Sequence, residues 1–401
     1  MPPDFDCLVV GAGLVGSAAA CALAAQGRRV LVVERRAPLT ALPDDVRGLV
    51  LAPASVQVLE DCGLWAALAS HAAPIRRIRI SERGAFGCVR LDADEAGLEA
   101  LGWSCPADHM LSELNAALVR AGEIEISWST RFIDARAGAE AVTVELATAE
   151  GPREVSAQLL VGADGARSLV RHAAGIEVDR VDYGQSAVVA NLDAPALAAD
   201  LAIEHFTAEG PLALLPRGGT RFVSVQCLER AHAQRAAQLA PQAYLEQLAA
   251  RAGQRLGVLG GLGPRRVHAL ARQRARSLVA TRTVIVGNAA NTVHPNGAQG
   301  LNLGLRDVAA LDAVLRGADD IGSRTLLATY AARRAHDHRA IGTFTHVAAQ
   351  AFASPLLPVR WARRAALAAL AHAPPLRRRL VGELSGLGAL VRLATPAGEA
   401  P

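Results

Sequence analysis

The chain reads as an α/β protein with three parts: a discontinuous Rossmann-like nucleotide-binding domain, an inserted and mainly antiparallel β-sheet domain, and a C-terminal helical region. Three observations predict this. An apolar strand near the N-terminus runs into a glycine turn and a helix; a second strand breaks into Gly-Asp-Gly at residue 162; a third breaks into a small-residue loop at residue 287. Strand-turn-helix units spread this widely along the chain imply one sheet assembled from distant pieces.

The first unit is Asp6-Cys7-Leu8-Val9-Val10, then Gly11-Ala12-Gly13-Leu14-Val15-Gly16, then a second strand Val30-Leu31-Val32-Val33 ending at Glu34. Gly11 permits the tight turn, Gly13 lets backbone approach a pyrophosphate, and Gly16 lets helix pack on strand. The Glu34 carboxylate stands where a ribose hydroxyl is bound, about 20 residues beyond the glycines. A lone glycine fingerprint is a weak signal; the flanking strands and the acid make this one a dinucleotide site.

The second unit, Leu159-Leu160-Val161-Gly162-Ala163-Asp164-Gly165-Ala166-Arg167, is an apolar strand entering a Gly-Asp-Gly turn and a basic helix start. In the third, Thr283-Val284-Ile285-Val286 precedes Gly287-Asn288-Ala289-Ala290, then His294-Pro295-Asn296-Gly297-Ala298-Gln299-Gly300-Leu301-Asn302 and an alanine-rich helical pattern. Backbone amides at such a helix start point toward whatever lies over it. The intervening runs Ile75–Ile80, Gly210–Pro216 and Arg221–Val225 alternate and are punctuated by Gly and Pro, as antiparallel strands are. The expected division is 1–75, 106–175 and 276–321 for the nucleotide domain, 76–105 and 176–275 for the sheet domain, and 322–401 for the helical region.

Composition narrows the class. The chain has 401 residues, 51% of them hydrophobic, enough for a large core. All 42 basic residues are arginine, yet net charge is only +4, which does not by itself imply a nucleic-acid partner. Cys7, Cys21, Cys62, Cys88, Cys105 and Cys227 lack Cys-x-x-Cys spacing and read as thiols in a reducing compartment, so the expected location is cytoplasmic, without a metal site. The N-terminus has no basic stretch of the secretory kind, and no run of about 18 uncharged apolar residues suggests a membrane span.

Taken together, the three motifs resemble the FAD-dependent aromatic hydroxylases of the para-hydroxybenzoate hydroxylase type, over nearly the whole chain. The run from His294-Pro295 to Arg306-Asp307 is most similar to the ubiquinone-biosynthesis hydroxylases. Gly287-Asn288-Ala289-Ala290 looks like the branch acting on 2-polyprenyl-6-methoxyphenol, although the superfamily usually has Asp at position 288. Asn296-Gly297-Ala298 departs from the family, which has an aliphatic residue followed by Ala-Gly.

The resemblance implies non-covalent FAD, NAD(P)H as co-substrate, and hydroxylation of a polyprenylated phenol by dioxygen through an oxygen adduct at flavin C(4a). It carries over Gly11, Gly13 and Gly16 to the FAD pyrophosphate, Glu34 to the adenosine ribose, Arg47 to a cofactor contact, and Asp164 to the ribityl and pyrophosphate region. Gly287 and Asn288 go to the ribityl chain, and Pro295 to the reactive flavin face. The amides of Gly300, Leu301 and Asn302 go to the negative charge of the reduced flavin. His294 is a candidate for proton transfer and equally for a structural hydrogen bond. Small soluble aromatic substrates, or a non-catalytic FAD-binding assembly role, remain alternatives. Arginines interleaved with apolar residues from Phe352 to Arg392 suggest an amphipathic surface for peripheral membrane contact or a quinone-biosynthesis complex, against the plainer reading of a solvated helix.

Overall fold

The computed structural model describes residues 2–38, 45–85, 88–253, 256–354 and 356–394, and the α/β expectation holds. Three β-sheets organise these residues. In the first, strands Thr283–Ile285, Gly151–Gly162, Phe5–Val10, Val30–Val33 and Ile124–Ser127 lie side by side and parallel. Cys7, Leu8, Val9 and Val30–Val32 are fully buried, as continuous apolar strands covered on both faces must be. Strands Arg131–Ala137 and Val142–Thr148 extend the long strand Gly151–Gly162 as an antiparallel meander.

Parallel pairing brings the ends of Phe5–Val10, Gly151–Gly162 and Thr283–Ile285 to one edge, although they are separated by well over a hundred residues. The crevice beyond the carboxyl ends of such strands is where an open α/β sheet binds its ligand.

The second sheet has the order 291–292, 265–275, 178–193, 221–229, 210–216, 201–207, 77–82, 88–92. Every pairing is antiparallel except Leu201–Thr207 against Arg77–Glu82. Helices Arg230–Gln238 and Pro241–Ala252 cover one face through Ala233, Tyr244, Leu245 and Leu248. The other face turns toward the nucleotide domain and the C-terminal helices.

A small third sheet joins Gly48–Leu51, Gly102–Pro106 and Ala73–Ile75, drawing on both sides of the boundaries expected at 75 and 105. The single strand expected across Ile75–Ile80 is in fact two, in different sheets. The amides of Arg76 and Arg77 both donate to the Asp200 carbonyl, pinning the chain where it crosses.

Helices Arg324–Ala353, Leu357–His372, Pro374–Ser385 and Leu387–Ala394 complete the described residues. Of their arginines, Arg363, Arg364 and Arg377 turn inward, whereas Arg378 and Arg379 are exposed. Arg363 pairs with Glu82 (2.5 and 3.0 Å) and caps the carbonyls of Ala351, Phe352 and Ser354. Arg364 reaches the Gly84 carbonyl, and Arg377 pairs with Glu95 (2.6 Å) while capping Leu370 and Ala371. Carboxylates on neighbouring elements and orphan carbonyls at helix ends turned these side chains inward. Exposed on the helix Leu357–His372 are Leu357, Pro358, Trp361, Ala362, Ala365, Ala366, Ala368, Ala369 and His372, with no arginine among the exposed positions.

Candidate active site

At the first strand end, Gly11 has φ of +105°, and a Cβ there would stand 2.7 Å from the Ala163 carbonyl oxygen. A Cβ on Gly16 would collide with the Gly11 carbonyl. These two glycines let the first turn, its helix Leu14–Ala25 and the Ala163 turn come together. Gly13 differs: it is extended, and nothing lies within 4 Å of where its Cβ would be, so its backbone faces open space.

Glu34 is 5% exposed and accepts the Ala12 amide (2.8 Å) and the Arg36 guanidinium (2.9 Å). Burial alone would raise its pKa, but bonds from Arg36 and Ala12 outweigh that and hold it below the usual carboxylate range. Asn115, on the helix Ala107–Arg120, donates to the Ala12 carbonyl at 2.9 Å and braces the same turn.

Asp164 caps the short helix Leu169–Ala173 by accepting the amides of Leu169 (2.6 Å) and Val170 (3.2 Å) through Oδ2. Its Oδ1 is buried without a partner among the described residues. Arg171 ties this turn to the late motif through the carbonyls of Ala289 (2.8 Å) and Ala166 (3.1 Å).

In the late motif Gly287 has φ of +60°, and a Cβ on Gly304 would lie 2.7 Å from Val15 and 3.0 Å from the Gly287 Cα. Loop and late helix therefore interlock with the first glycine helix. Asn288 is exposed. The turn Asn296–Ala298 reverses through left-handed Gly297 (φ 69°) and Ala298 (φ 52°) into the helix Gln299–Leu315.

Gly300 and Leu301 occupy that helix's first turn, where amides have no intrahelical acceptor. Asn302 lies one step further, where the amide bonds within the helix. Its contribution is the side chain instead: Oδ1 accepts from Ala52 N–H and Ser55 Oγ–H, both at 2.7 Å, and Nδ2 donates to the Val50 (2.9 Å) and Ala298 (2.8 Å) carbonyls. Asn302 thus braces the turn from beneath through its side chain.

His294 is 1% exposed, and its Nδ1 accepts the Asn296 amide at 3.4 Å. The ring stands edge-on to Tyr183, 5.0 Å between centroids, and Nε2 has no partner among the described residues. Burial pushes its pKa down to about 4, so the imidazole is neutral at physiological pH and a weak base. Pro295, half-buried, follows it at the cleft.

Arg47 is held by Asp45 (2.8 Å) beside His268 of the large sheet. Val46 packs with Ala187, Val189, Val223 and Cys227, so this segment crosses from one domain to the other.

Beneath the late motif lies a network that residue patterns did not reveal. Asp307, fully buried, accepts the Gly287 amide (3.0 Å), Arg334 (2.7 Å) and His338 (2.6 Å), while Asp337 pairs with Arg306 (2.7 Å) and Arg334 (2.8 Å). Arg306-Asp307 is visible as a charged pair inside an apolar helix. Arg334, Asp337 and His338 carry no local signal.

The cradle fits a dinucleotide flavin. Buried polar atoms without partners among the described residues, Asp164 Oδ1, His294 Nε2, Asn296 Nδ2 and Gln299 Oε1, belong to the second and third motifs. Open space lies over Gly13, and the amides of Gly300 and Leu301 stand at a helix start, where an anionic group is stabilised. This fold and site define a flavin-dependent oxidoreductase built on a Rossmann-like sheet with a second sheet across its cleft.

Residues 4–345 match the FAD binding domain family, and the chain belongs to it; the protein is an FAD-dependent monooxygenase. It is 34% identical over 394 residues to the ubiquinone hydroxylase UbiL of Rhodospirillum rubrum, covering 95% of this chain and 89% of that protein. It is 31% identical to the 3-demethoxyubiquinol 3-hydroxylase of Escherichia coli, covering 94% and 98%. Its fold is similar to that of the p-nitrophenol 4-monooxygenase PnpA of Pseudomonas putida, with a TM-score of 0.77 at 18% identity, covering 95% and 98%.

Proposed function

We propose that the protein hydroxylates a polyprenylated phenol in ubiquinone biosynthesis, using FAD, NAD(P)H and dioxygen. The observation that carries this reading is the complete three-motif cradle, facing a second sheet, in a chain alignable almost end to end with two ubiquinone-pathway hydroxylases. Bound FAD supplies electron transfer from NAD(P)H and activation of dioxygen.

The chain's residues supply binding and positioning. Gly13 admits the pyrophosphate against its backbone, Gly11 and Gly16 set the geometry that lets it do so, and Glu34 takes the ribose. Arg47 and Asp164 add contacts to the cofactor. Gly287 and Asn288 hold the ribityl chain, with Asn288 contributing a neutral hydrogen bond. The amides of Gly300 and Leu301 stabilise negative charge on the ring system as fixed dipoles, and Pro295 lines the reactive face and helps exclude water.

A prenylated substrate partitions into lipid, so its enzyme meets it at a membrane surface or through a partner. Among the described residues no helix is long and apolar enough to cross a membrane. Leu356 (63% exposed), Leu357 (64%) and Trp361 (69%) support a peripheral contact made by apolar side chains at the start of the helix Leu357–His372.

Quinone-intermediate profiling by mass spectrometry, in cells lacking the protein, tests the assignment. Accumulation of a prenylated phenol one hydroxyl short of the product is expected. An unchanged quinone profile, with NAD(P)H oxidation by the purified enzyme stimulated only by soluble aromatics, would instead support the small-aromatic reading.

A further inference from the structure

The large sheet carries one carboxyl in an apolar row. Cross-strand register aligns Val189, Val225, Ala213, Glu204, Ile80 and Val89 on one face. Among the described residues no hydrogen bond or ion pair reaches the Glu204 carboxyl. The opposite face of its strand is sealed, with Ile203, Leu212 and Leu214 beneath the helix Pro241–Ala252. Glu204 nevertheless keeps some accessible surface, and its side chain lies on the other face of the sheet.

Two covers flank it on that side. Val46 packs on Val189 and Val223, and Leu367 and Leu370 pack with Ile78 and Ile80. Glu204 stands between them. One step outward on the same face, Phe206 stacks on Phe352, with ring centroids 3.4 Å apart. A cleft of about 270 Å³ lined by both rings, Glu82, Arg360 and Arg363 opens there, on the stretch of chain that leads to exposed Leu356 and Leu357.

We propose that Glu204 binds the phenolic oxygen of the substrate and accepts its proton, while the prenyl chain runs past Phe206 and Phe352 toward the exposed apolar face. This rests on the phenol reading above. In the step, the phenolic O–H bond breaks and the proton bonds to a Glu204 carboxylate oxygen. The electron pair stays on the phenolate, enriching the ring carbon that receives oxygen; the proton later returns to solvent.

Burial raises the Glu204 carboxyl to about 8, making its carboxylate a far better proton acceptor for a phenol than an ordinary one or than neutral His294. The other ionisable groups on this side include Arg83 and Arg360, which line the cleft one step outward. Cys227 is a thiol pushed up to about 12, Glu82 is held by Arg363 and Arg364, and Arg47 is held by Asp45 beside His268. Arg266 lies exposed at the far end of the row.

The test uses the FAD-loaded enzyme and a 2-prenylphenol with one isoprene unit. Wild-type kcat/KM is expected to rise with pH through about 8, and the bound phenol to show phenolate absorption. Glu204→Gln should keep flavin content and melting temperature, lose the phenolate signal, and drop kcat by roughly 100-fold or more, with Glu204→Asp recovering part of it. Wild-type activity and phenolate signal in Glu204→Gln, or a wild-type profile without that inflection, overturns the role of Glu204 and leaves the phenol reading standing. A wild-type enzyme whose flavin spectrum and NAD(P)H oxidation respond to no phenol overturns the phenol reading, and this inference with it.

Discussion

Single residues in the cradle separate binding from folding. Gly13→Val introduces a side chain into open space on a backbone that valine tolerates, so the fold should persist while FAD binding is lost. Gly16→Val instead drives a side chain into the Gly11 carbonyl and should cost roughly 1 to 3 kcal/mol or more of stability. The measurement is flavin-to-protein ratio beside a thermal melt; full occupancy in Gly13→Val would remove that loop from the cofactor.

Asn288→Asp should retain FAD, since both side chains accept a hydroxyl hydrogen bond. Asn288→Leu should weaken affinity by about 1 to 3 kcal/mol, read as flavin loss on dilution. At Ala298, a left-handed residue carrying a Cβ stores strain on the order of 1 kcal/mol. Ala298→Gly, which removes the Cβ from this left-handed residue, should raise the urea midpoint accordingly.

At the scale of elements, the late motif and the helix Arg324–Ala353 are held together by Asp307. Burial would raise its pKa, but His338 and Arg334 outweigh burial and leave it below the ordinary value. A depressed carboxylate contributes stability that is complete above the unfolded-state pKa of about 4 and is lost as pH falls through the folded value. Urea midpoints measured against pH should therefore drop below about pH 4. In Asp307→Asn the drop should flatten and stability fall by roughly 3 to 5 kcal/mol, because Arg334 is left buried with its main partner neutralised. The same logic makes Arg377 a clamp: Arg377→Ala should loosen the helix Pro374–Ser385 by about 1 to 2 kcal/mol in hydrogen exchange, whereas the exposed Arg378 and Arg379 should tolerate replacement.

For the whole molecule, the inward turn of Arg363, Arg364 and Arg377 changes what a membrane contact would depend on. Apolar insertion by Leu357 and Trp361 would resist salt better than a basic patch, since screening acts on charges. Liposome binding should persist in high salt and fall sharply in the Leu357→Ser, Trp361→Ser double variant, with flavin content intact. Binding abolished by salt alone, or unchanged in that variant, would return the contact to exposed arginines or to another face.

The α/β class, the three cofactor turns and the helical end were legible along the chain because each rests on local rules. Strand-turn-helix punctuation, the φ > 0 needed at Gly11 and Gly287, and a carboxylate at the end of Val30–Val33 are all written within a few residues. Tertiary structure alone decided the rest. Whether an arginine faces solvent or a carboxylate depends on what packs beside it, as Arg363 with Glu82 shows across 281 positions. Asp307, Arg334 and His338 become one network only when two helices meet. Asn302 braces the late turn only because Val50, Ala52 and Ser55, far off along the chain, pack against its side chain. Glu204 is one acid in an alternating strand; only cross-strand register sets it among aliphatic neighbours, where a low-dielectric surrounding gives an ordinary carboxyl an unusual basicity.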